Sequence, residues 1–320
     1  MAKIGFHASH EMYPPSELLE LAVLAERAGF REAMCSDHFH PWLPSQGQSG
    51  FAWGWLGAAL QATTLPFGMV NAPGQRYHPA VVAQAAATLG EMFPGRVWVA
   101  VGTGEALNES ITGDPWPPKP QRRDRLEESV EVMRALWAGE TVTRDGGHVR
   151  VKEAKLYTRP AEPPKLFGAA LTPESAAWVG RWADGLITVA KEPNDFRAML
   201  DAFRGGGGEG KPVFVQACVA YAPTEAEAVR AAHRNWPQAA LDVTFLSDLP
   251  TPRAFAERCA AVTADDVKAK LRVSADLSRH ADWIARDLEL GADRVYLQHV
   301  GPDMRRFIEA FGERVLPAFA

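Results

Sequence analysis

Three short stretches of the chain carry side chains that could move protons and position a redox group. The first is Ser36-Asp37-His38-Phe39-His40-Pro41-Trp42. It crowds an acid, two imidazoles and an indole into one segment. A carboxylate that accepts from one ring nitrogen fixes a histidine tautomer and leaves the other nitrogen as a base. The plain alternative is a loop in which Asp37 caps local amides and His38 is bonded to a neighbour. The second stretch is Gly102-Thr103-Gly104-Glu105-Ala106-Leu107-Asn108-Glu109. It approaches the dinucleotide signature G-x-G-x-x-G, but Leu107 stands where the third glycine belongs, so that signal is weak. Two glycines beside Glu105 fit a backbone that must come close to a flat ligand, or a turn with a solvated acid. The third is Val70-Asn71-Ala72-Pro73, running on to Arg76-Tyr77-His78-Pro79. For Arg76 and His78 a turn feeding a helix is the favoured reading. Smaller signals are His7, Ser9, His10 and Glu11, and Gly168-Ala169-Ala170-Leu171-Thr172 at a predicted helix N-terminus, which is either an anion site or an ordinary cap. Lys191 and His299 stand alone, and a solvated or core role suffices for each.

These stretches need a scaffold that brings them together. Apolar runs of strand length alternate with helical periodicity through most of the chain. Strands are predicted at 3–8, 32–36, 66–70, 96–101, 165–170, 185–190, 212–220 and 294–300. Helices are predicted over 16–28, 56–63, 79–93, 121–138, 172–182, 195–203 and 303–319. Strands followed by helices in this rhythm point to a closed (β/α)8 TIM barrel, one α/β domain over 1–320, with a doubly wound open sheet as the rival. A hairpin insertion is expected at 141–160, around Asp145-Gly146-Gly147. A mostly helical insertion is expected at 224–290, opened by a capping box at Thr224-x-x-Glu227 and broken at Asp248-Leu249-Pro250 and Thr263. In such barrels the reactive side chains sit at the C-terminal ends of strands, where each chemical stretch above begins.

Composition narrows the classes further. The 320 residues are 47% hydrophobic and 23% charged, a globular balance that excludes disorder, collagen and coiled coil. The net charge of −5 gives no electrostatic case for nucleic acid or an anionic membrane. The cysteines Cys35, Cys218 and Cys259 form no C-x-x-C pair, against a disulfide frame or structural zinc. No signal peptide and no run of about 20 apolar residues is evident, so a soluble, cytoplasmic protein acting on a small-molecule substrate is expected. Ten tryptophans suggest a Trp-rich core or an aromatic-lined cavity, and Trp42, Trp53 and Trp55 suggest an aromatic approach to the site.

Taken together, the S-D-H-F-H-P-W, G-T-G-E-A-L-N-E and R-Y-H-P stretches resemble the luciferase-like flavin and deazaflavin oxidoreductases. The resemblance runs over essentially the whole chain, including Trp182-Ala183-Asp184-Gly185 and Arg305-Arg306-Phe307. In its motifs the chain is most similar to the branch containing the F420-dependent glucose-6-phosphate dehydrogenases. The resemblance implies a bacterial-luciferase-like barrel with the ring across its mouth. It implies His38 as base on the substrate hydroxyl, Glu11 supporting it, Trp42 steadying the substrate and Glu105 as proton donor near the ring. It implies cofactor contacts from Asp37 and Asn108 and from the turn at Val70, Asn71 and Ala72; the bare backbone at Thr103 and Gly104 and the helix N-terminus at Ala169, Ala170 and Leu171 are the further candidates for holding such a cofactor and its phosphate. It also implies a homodimer, and a non-prolyl cis peptide within 70–72, a bond that costs about 3–4 kcal/mol. The sugar-phosphate enzymes of the branch hold their phosphate with three basic residues. Lys191 and Lys270 stand near two of these positions, while Phe245-Leu246 fall at the third without a base. The overall pattern resembles a subgroup expected to use FMN, with hydride transfer to a small organic substrate or with oxygen as acceptor in a monooxygenase. Coenzyme F420 serving a dehydrogenase of an alcohol or sugar phosphate is the alternative.

Two readings from other classes remain at this level. His38-x-His40 could seed the metal site of a barrel hydrolase, completed by His7, His10 or His299, since catalytic zinc takes roughly three protein ligands; the favoured reading needs no metal. A non-catalytic flavin-binding sensor is the other, against which the Asp37, His38 and Glu105 set argues.

Overall fold

The computed structural model of the protein describes residues 3–320. Its elements run β1 (Lys3–Ala8), α1 (Pro15–Ala28), β2 (Glu32–Ser36), α2 (Ala52–Ala62), β3 (Phe67–Asn71), α3 (Pro79–Met92) and β4 (Val97–Val101). There follow α4 (Ala106–Glu109), α5 (Lys119–Ala138), β5 (Val142–Arg144), β6 (Val151–Ala154), β7 (Lys165–Ala169), α6 (Pro173–Gly180), β8 (Gly185–Val189) and α7 (Pro193–Phe203). The last part comprises β9 (Val213–Ala220), α8 (Glu225–Asn235), α9 (Val243–Asp248), α10 (Pro252–Cys259), α11 (Ala264–Lys268), β10 (Arg272–Val273), α12 (Leu277–Glu289), β11 (Arg294–His299) and α13 (Met304–Arg314).

The long strands pair in parallel in the order β9-β11-β1-β2-β3-β4-β7-β8, and β8 pairs back onto β9, closing a (β/α)8 barrel. Parallel strands buried on both faces read as unbroken apolar runs, and Val97–Val101 is buried at every position. The barrel interior is packed rather than hollow. Trp98, Phe167, Phe214 and Tyr296 fill its lower layer with Met34 and Ile187, and Phe167 stacks on Phe214 at 4.3 Å between centroids. Facing strands supply glycine where these rings lie. A Cβ on Gly68 would fall 2.0 Å from the Trp98 ring, and one on Gly5 would fall 2.2 Å from Tyr296. Large and small residues thus alternate across the interior to reach native density.

Above the aromatic layer the interior turns polar. His7 Nδ1 and Nε2 lie 3.3 Å from Ser9 Oγ and Ser36 Oγ. Gln216 Nε2 and Cys218 Sγ donate to Gln298 Oε1 at 2.7 and 3.0 Å. Each of these side chains has a partner, as buried polar groups require, and together they form the floor of the barrel mouth.

The hairpin β5–β6 is antiparallel. Helices α8 to α11 follow β9, with the expected break between α9 and α10. Periodicity gave no hint of β10, which extends the sheet beside Val219 and Ala220. Arg272 in β10 forms a bidentate buried pair with Asp287 in α12, both bonds 2.6 Å, which offsets the desolvation of both charges. The capping box at α8 is half formed. Thr224 Oγ1 accepts from Glu227 N at 3.3 Å, but the Glu227 carboxylate meets the Thr224 hydroxyl and not its amide; a full box opens α11 at Thr263 and Asp266. Thr224→Ala should therefore cost about 1 kcal/mol, seen as a small drop in Tm; an unchanged Tm would show that the cap does not hold α8.

Helix α2 begins four residues before its predicted start and takes Trp53 and Trp55 into the core. Trp55 Nε1 donates to Pro15 O at 3.0 Å. These two indoles therefore do not line an aromatic approach, because the apolar face of α2 turns them inward. Among the described residues every peptide bond is trans, including those at 70–72. The β3 ladder ends there with Gly102 N donating to Asn71 O at 3.0 Å, and the turn beyond it keeps the trans form, lower in energy by about 3–4 kcal/mol for a non-prolyl bond. Among the described residues no helix is long and apolar enough to cross a membrane.

Candidate active site

The site is built where β1, β2, β3 and β4 end. Register places these ends side by side, Ala8 beside Cys35, Ser36 beside Val70 and Asn71 beside Val101. Glu11, Asp37–His38, Asn71–Arg76 and Glu105 therefore emerge from neighbouring strands onto one rim.

At the centre stands His38, mostly enclosed, with 10% of its side chain exposed. Burial, then the positive Arg76 and then His10, push its pKa down to about 3, against a small upward pull from a backbone bond at His40. Its Nδ1 lies 3.8 Å from Glu11 Oε1 and its Nε2 lies 4.0 Å from Glu105 Oε2. The imidazole thus sits between two carboxyls, slightly beyond hydrogen-bond reach of either, a spacing that ligand binding commonly tightens. Burial raises Glu11 to about 7. Burial, then Glu11 and Glu109, raise Glu105 to about 8. Glu105 nevertheless keeps 33% of its side-chain surface open, so it is the acid a ligand at the mouth can reach. An imidazole lowered in pKa between two carboxyls raised in pKa is an arrangement suited to moving protons.

The loop is held from below and from the side. Ser49 Oγ donates to His38 O at 2.9 Å. Asn108 Oδ1 accepts from Phe39 N and His40 N at 2.9 and 3.3 Å, while its amide donates to Glu105 Oε2 at 3.3 Å. Both ends of Asn108 are therefore engaged within the chain, linking base and acid. His40 turns its Nδ1 to Leu107 O at 2.9 Å, away from His38, so the two imidazoles do not converge as a metal pair would. Among the described residues no three His, Cys, Asp or Glu side chains gather as metal ligands.

Trp42 packs against His38 with centroids 5.2 Å apart and edge-on against Phe255 of α10 at 5.1 Å. Behind it Leu43, Leu107 and Cys259 complete an apolar wall. The helical insertion thus backs Trp42 through Phe255 and holds the indole against His38.

Several buried polar atoms at this rim lack a hydrogen-bond partner among the described residues: Asp37 Oδ1, Asn71 Oδ1, Glu11 Oε2 and His38 Nδ1. Such atoms are costly unless something binds them. Beside them Gly104 adopts φ +85°, and a Cβ there would meet Glu109, Trp116 and Ala72. Thr103 and Gly104 thus present bare backbone next to the orphaned atoms. A polar-edged planar ring fits this set. At the other side of the mouth, Ala170 N donates to Ile187 O at 3.1 Å, Leu171 is exposed, and Thr172 caps α6 through Ser175 N.

The remaining sequence candidates separate. Lys191 is half-buried after β8, its pKa lowered by burial and partly restored by Asp195. Lys270 is exposed in a recess with Asp266 and Ala240, apart from the strand ends. His78 caps α3 by accepting from Ala80 N. His299 stacks on Phe307 at 4.4 Å. Sequence reasoning passed over Arg76 and Glu109, which the structure buries beside Asp37.

A closed parallel barrel with titratable side chains and unpartnered polar atoms gathered at its C-terminal mouth is the architecture of a TIM-barrel enzyme. The profile of the luciferase-like monooxygenase family matches residues 2–294, and the chain belongs to that family. An F420-dependent glucose-6-phosphate dehydrogenase of Beutenbergia cavernae is 35% identical over 99% of this chain and 97% of its own length. One of Microbacterium testaceum is 35% identical over 98% and 96%. Among solved structures, an F420-dependent secondary alcohol dehydrogenase in complex with an F420-acetone adduct is 35% identical, with a TM-score of 0.93 over 100% of this chain and 99% of the other.

Proposed function

We propose that the protein is an F420-dependent dehydrogenase that interconverts a small, unphosphorylated secondary alcohol and its ketone. This replaces the FMN-based expectation, because the relatives and the solved structure at 35% identity are F420-dependent. The observation that carries the reading is neutral His38 held between Glu11 and Glu105 beside the orphaned polar rim. Coenzyme F420, when bound, supplies a two-electron hydride acceptor. His38 Nε2 takes the hydroxyl proton as the alcohol loses its hydride, so proton and hydride leave together and a ketone remains. Glu105 stands next to that nitrogen and exchanges the proton with the open mouth. Glu11 faces Nδ1 and favours the imidazolium that forms.

The apolar wall of Trp42, Phe255, Leu43 and Leu107 supports an alcohol over a sugar phosphate. A phosphate dianion needs several fixed donors. Here Lys191 is alone, Lys270 lies in its own recess, and Phe245 sits under Arg258 at 3.8 Å in a cation–π contact. Titration of the purified protein with F420 and with FMN, followed by fluorescence, tests the reading. Saturable F420 binding with reduction by 2-propanol but not by glucose 6-phosphate is expected. Tight FMN binding without F420 binding would overturn it.

A further inference from the structure

The motif Arg76-Tyr77-His78-Pro79 carries a buried cation that the proton path through His38 does not use. We propose that Arg76 is a positioning residue of this site: its guanidinium ties the loop after β3 to that after β2 and fixes Asp37 and the peptide bearing His38, while its backbone amide ties the same loop to Glu109 after β4.

The side chain of Arg76 is 6% exposed, and those of its partners Asp37 and Glu109 are 0% and 1% exposed. Its Nη2 donates to Asp37 O at 2.9 Å and to Asp37 Oδ2 at 3.2 Å. That carbonyl belongs to the peptide joining Asp37 to His38, so the guanidinium holds the backbone from which the base projects. Its backbone N donates to Glu109 Oε2 at 2.7 Å, and its Nε lies 3.7 Å from Glu109 Oε1. Glu109 ends α4, which follows directly on Gly104 and Glu105. Asn71 Nδ2 closes the frame on Asp37 Oδ2 at 2.7 Å. Asp37 Oδ1 stays without a partner among the described residues and is the oxygen left for the cofactor. Tyr77 lies under the guanidinium at 4.5 Å.

The geometry also sets charge. His38 is faced by Glu11 from the loop after β1, Glu105 from that after β4, Arg76 from that after β3, and the buried His7 of β1 and His10 beyond it; Asp37 precedes it in the chain, and Glu109 stands behind Arg76. Among these, Arg76 is the permanent cation, and it opposes protonation of His38. Lysine would keep the charge but not the planar fork that spans a carbonyl and a carboxylate at once.

The proposal rests on the reading of His38 as the base, and it is tested first without cofactor or turnover. The His38 ring is followed by NMR against pH in the cofactor-free wild type, Arg76→Ala and Arg76→Lys. Arg76→Ala is expected to shift the His38 titration to higher pH, and Arg76→Lys to leave it near wild type. Hydrogen exchange of the backbone at 37–42 is expected to quicken in both, with the strands unchanged. In the loaded enzyme Arg76→Ala should lower kcat/KM ~10- to 100-fold, move the acid limb of its pH profile upward, and recover in part on adding guanidinium ion. If Arg76→Ala fails to fold, Arg76→Lys carries the test through exchange at 37–42. An unmoved His38 titration in folded Arg76→Ala, or wild-type exchange in Arg76→Lys, would overturn the proposal. A wild type that binds no F420 would remove the proposed function, while the cofactor-free measurements would still decide the role of Arg76.

Discussion

Replacing His38 with alanine is expected to slow hydride transfer ~10²–10⁴-fold while F420 still binds with wild-type affinity. That loss corresponds to roughly 2.7–5.5 kcal/mol of transition-state stabilisation. The separation of the two effects follows from the geometry. On the proposed reading the ring meets Asp37, Asn71 and the bare backbone at Thr103 and Gly104, and among the described residues none of these bonds to the imidazole. Asp37 is held by Arg76 and Asn71, and Gly102 by Asn71 O. His38 itself contributes little to the fold, since its Nδ1 has no hydrogen-bond partner among the described residues and the loop is held through its carbonyl by Ser49. Single-turnover reduction of bound F420 by 2-propanol separates chemistry from release. Unchanged turnover would remove His38 as base. Equal loss of binding and rate would make it a structural residue of the ring site instead.

The barrel was legible because its strands are buried on both faces and read as apolar runs, as at Val97–Val101. Elements that depend on distant partners were not. Strand β10 is two residues long and begins with an arginine. It is held by an ion pair to Asp287, 15 positions away, which no local pattern announces. Helix α2 hid its first turn because glycines and indoles blur the 3.6-residue period. In the site, His38, Glu105 and Asp37 were visible as chemical types at strand ends. Arg76 was not, because its meaning lies in contacts to Asp37 and Glu109, 39 and 33 positions away. Motif resemblance supplied Glu11 and Trp42, whose placement beside His38 depends on a loop after another strand and on Phe255 of the helical insertion.

Glu105→Gln should separate activity from stability in opposite directions. The amide cannot exchange a proton, so turnover is expected to fall ~10²-fold or more, with the loss persisting at every pH where wild type is active. Stability should move the other way. The folded protein holds the Glu105 proton up to about pH 8, against an ordinary value of 4.5. Between those values the native state binds more protons than the unfolded chain at this position, so stability falls as pH rises through the window. The ionised carboxylate then lies near Glu11 and Glu109, which repel it. Glutamine removes that penalty. The buried histidines act oppositely, since His7, His38 and His299 are lowered to about 3 and their contribution strengthens as pH rises toward 6.5. They are common to variant and wild type and largely cancel in the difference. The Tm of Glu105→Gln minus that of wild type should therefore grow from about pH 5 to about pH 9. A difference that stays flat would mean that Glu105 titrates as an ordinary surface acid. It would then be ionised at neutral pH and unable to serve as the proton donor at the mouth.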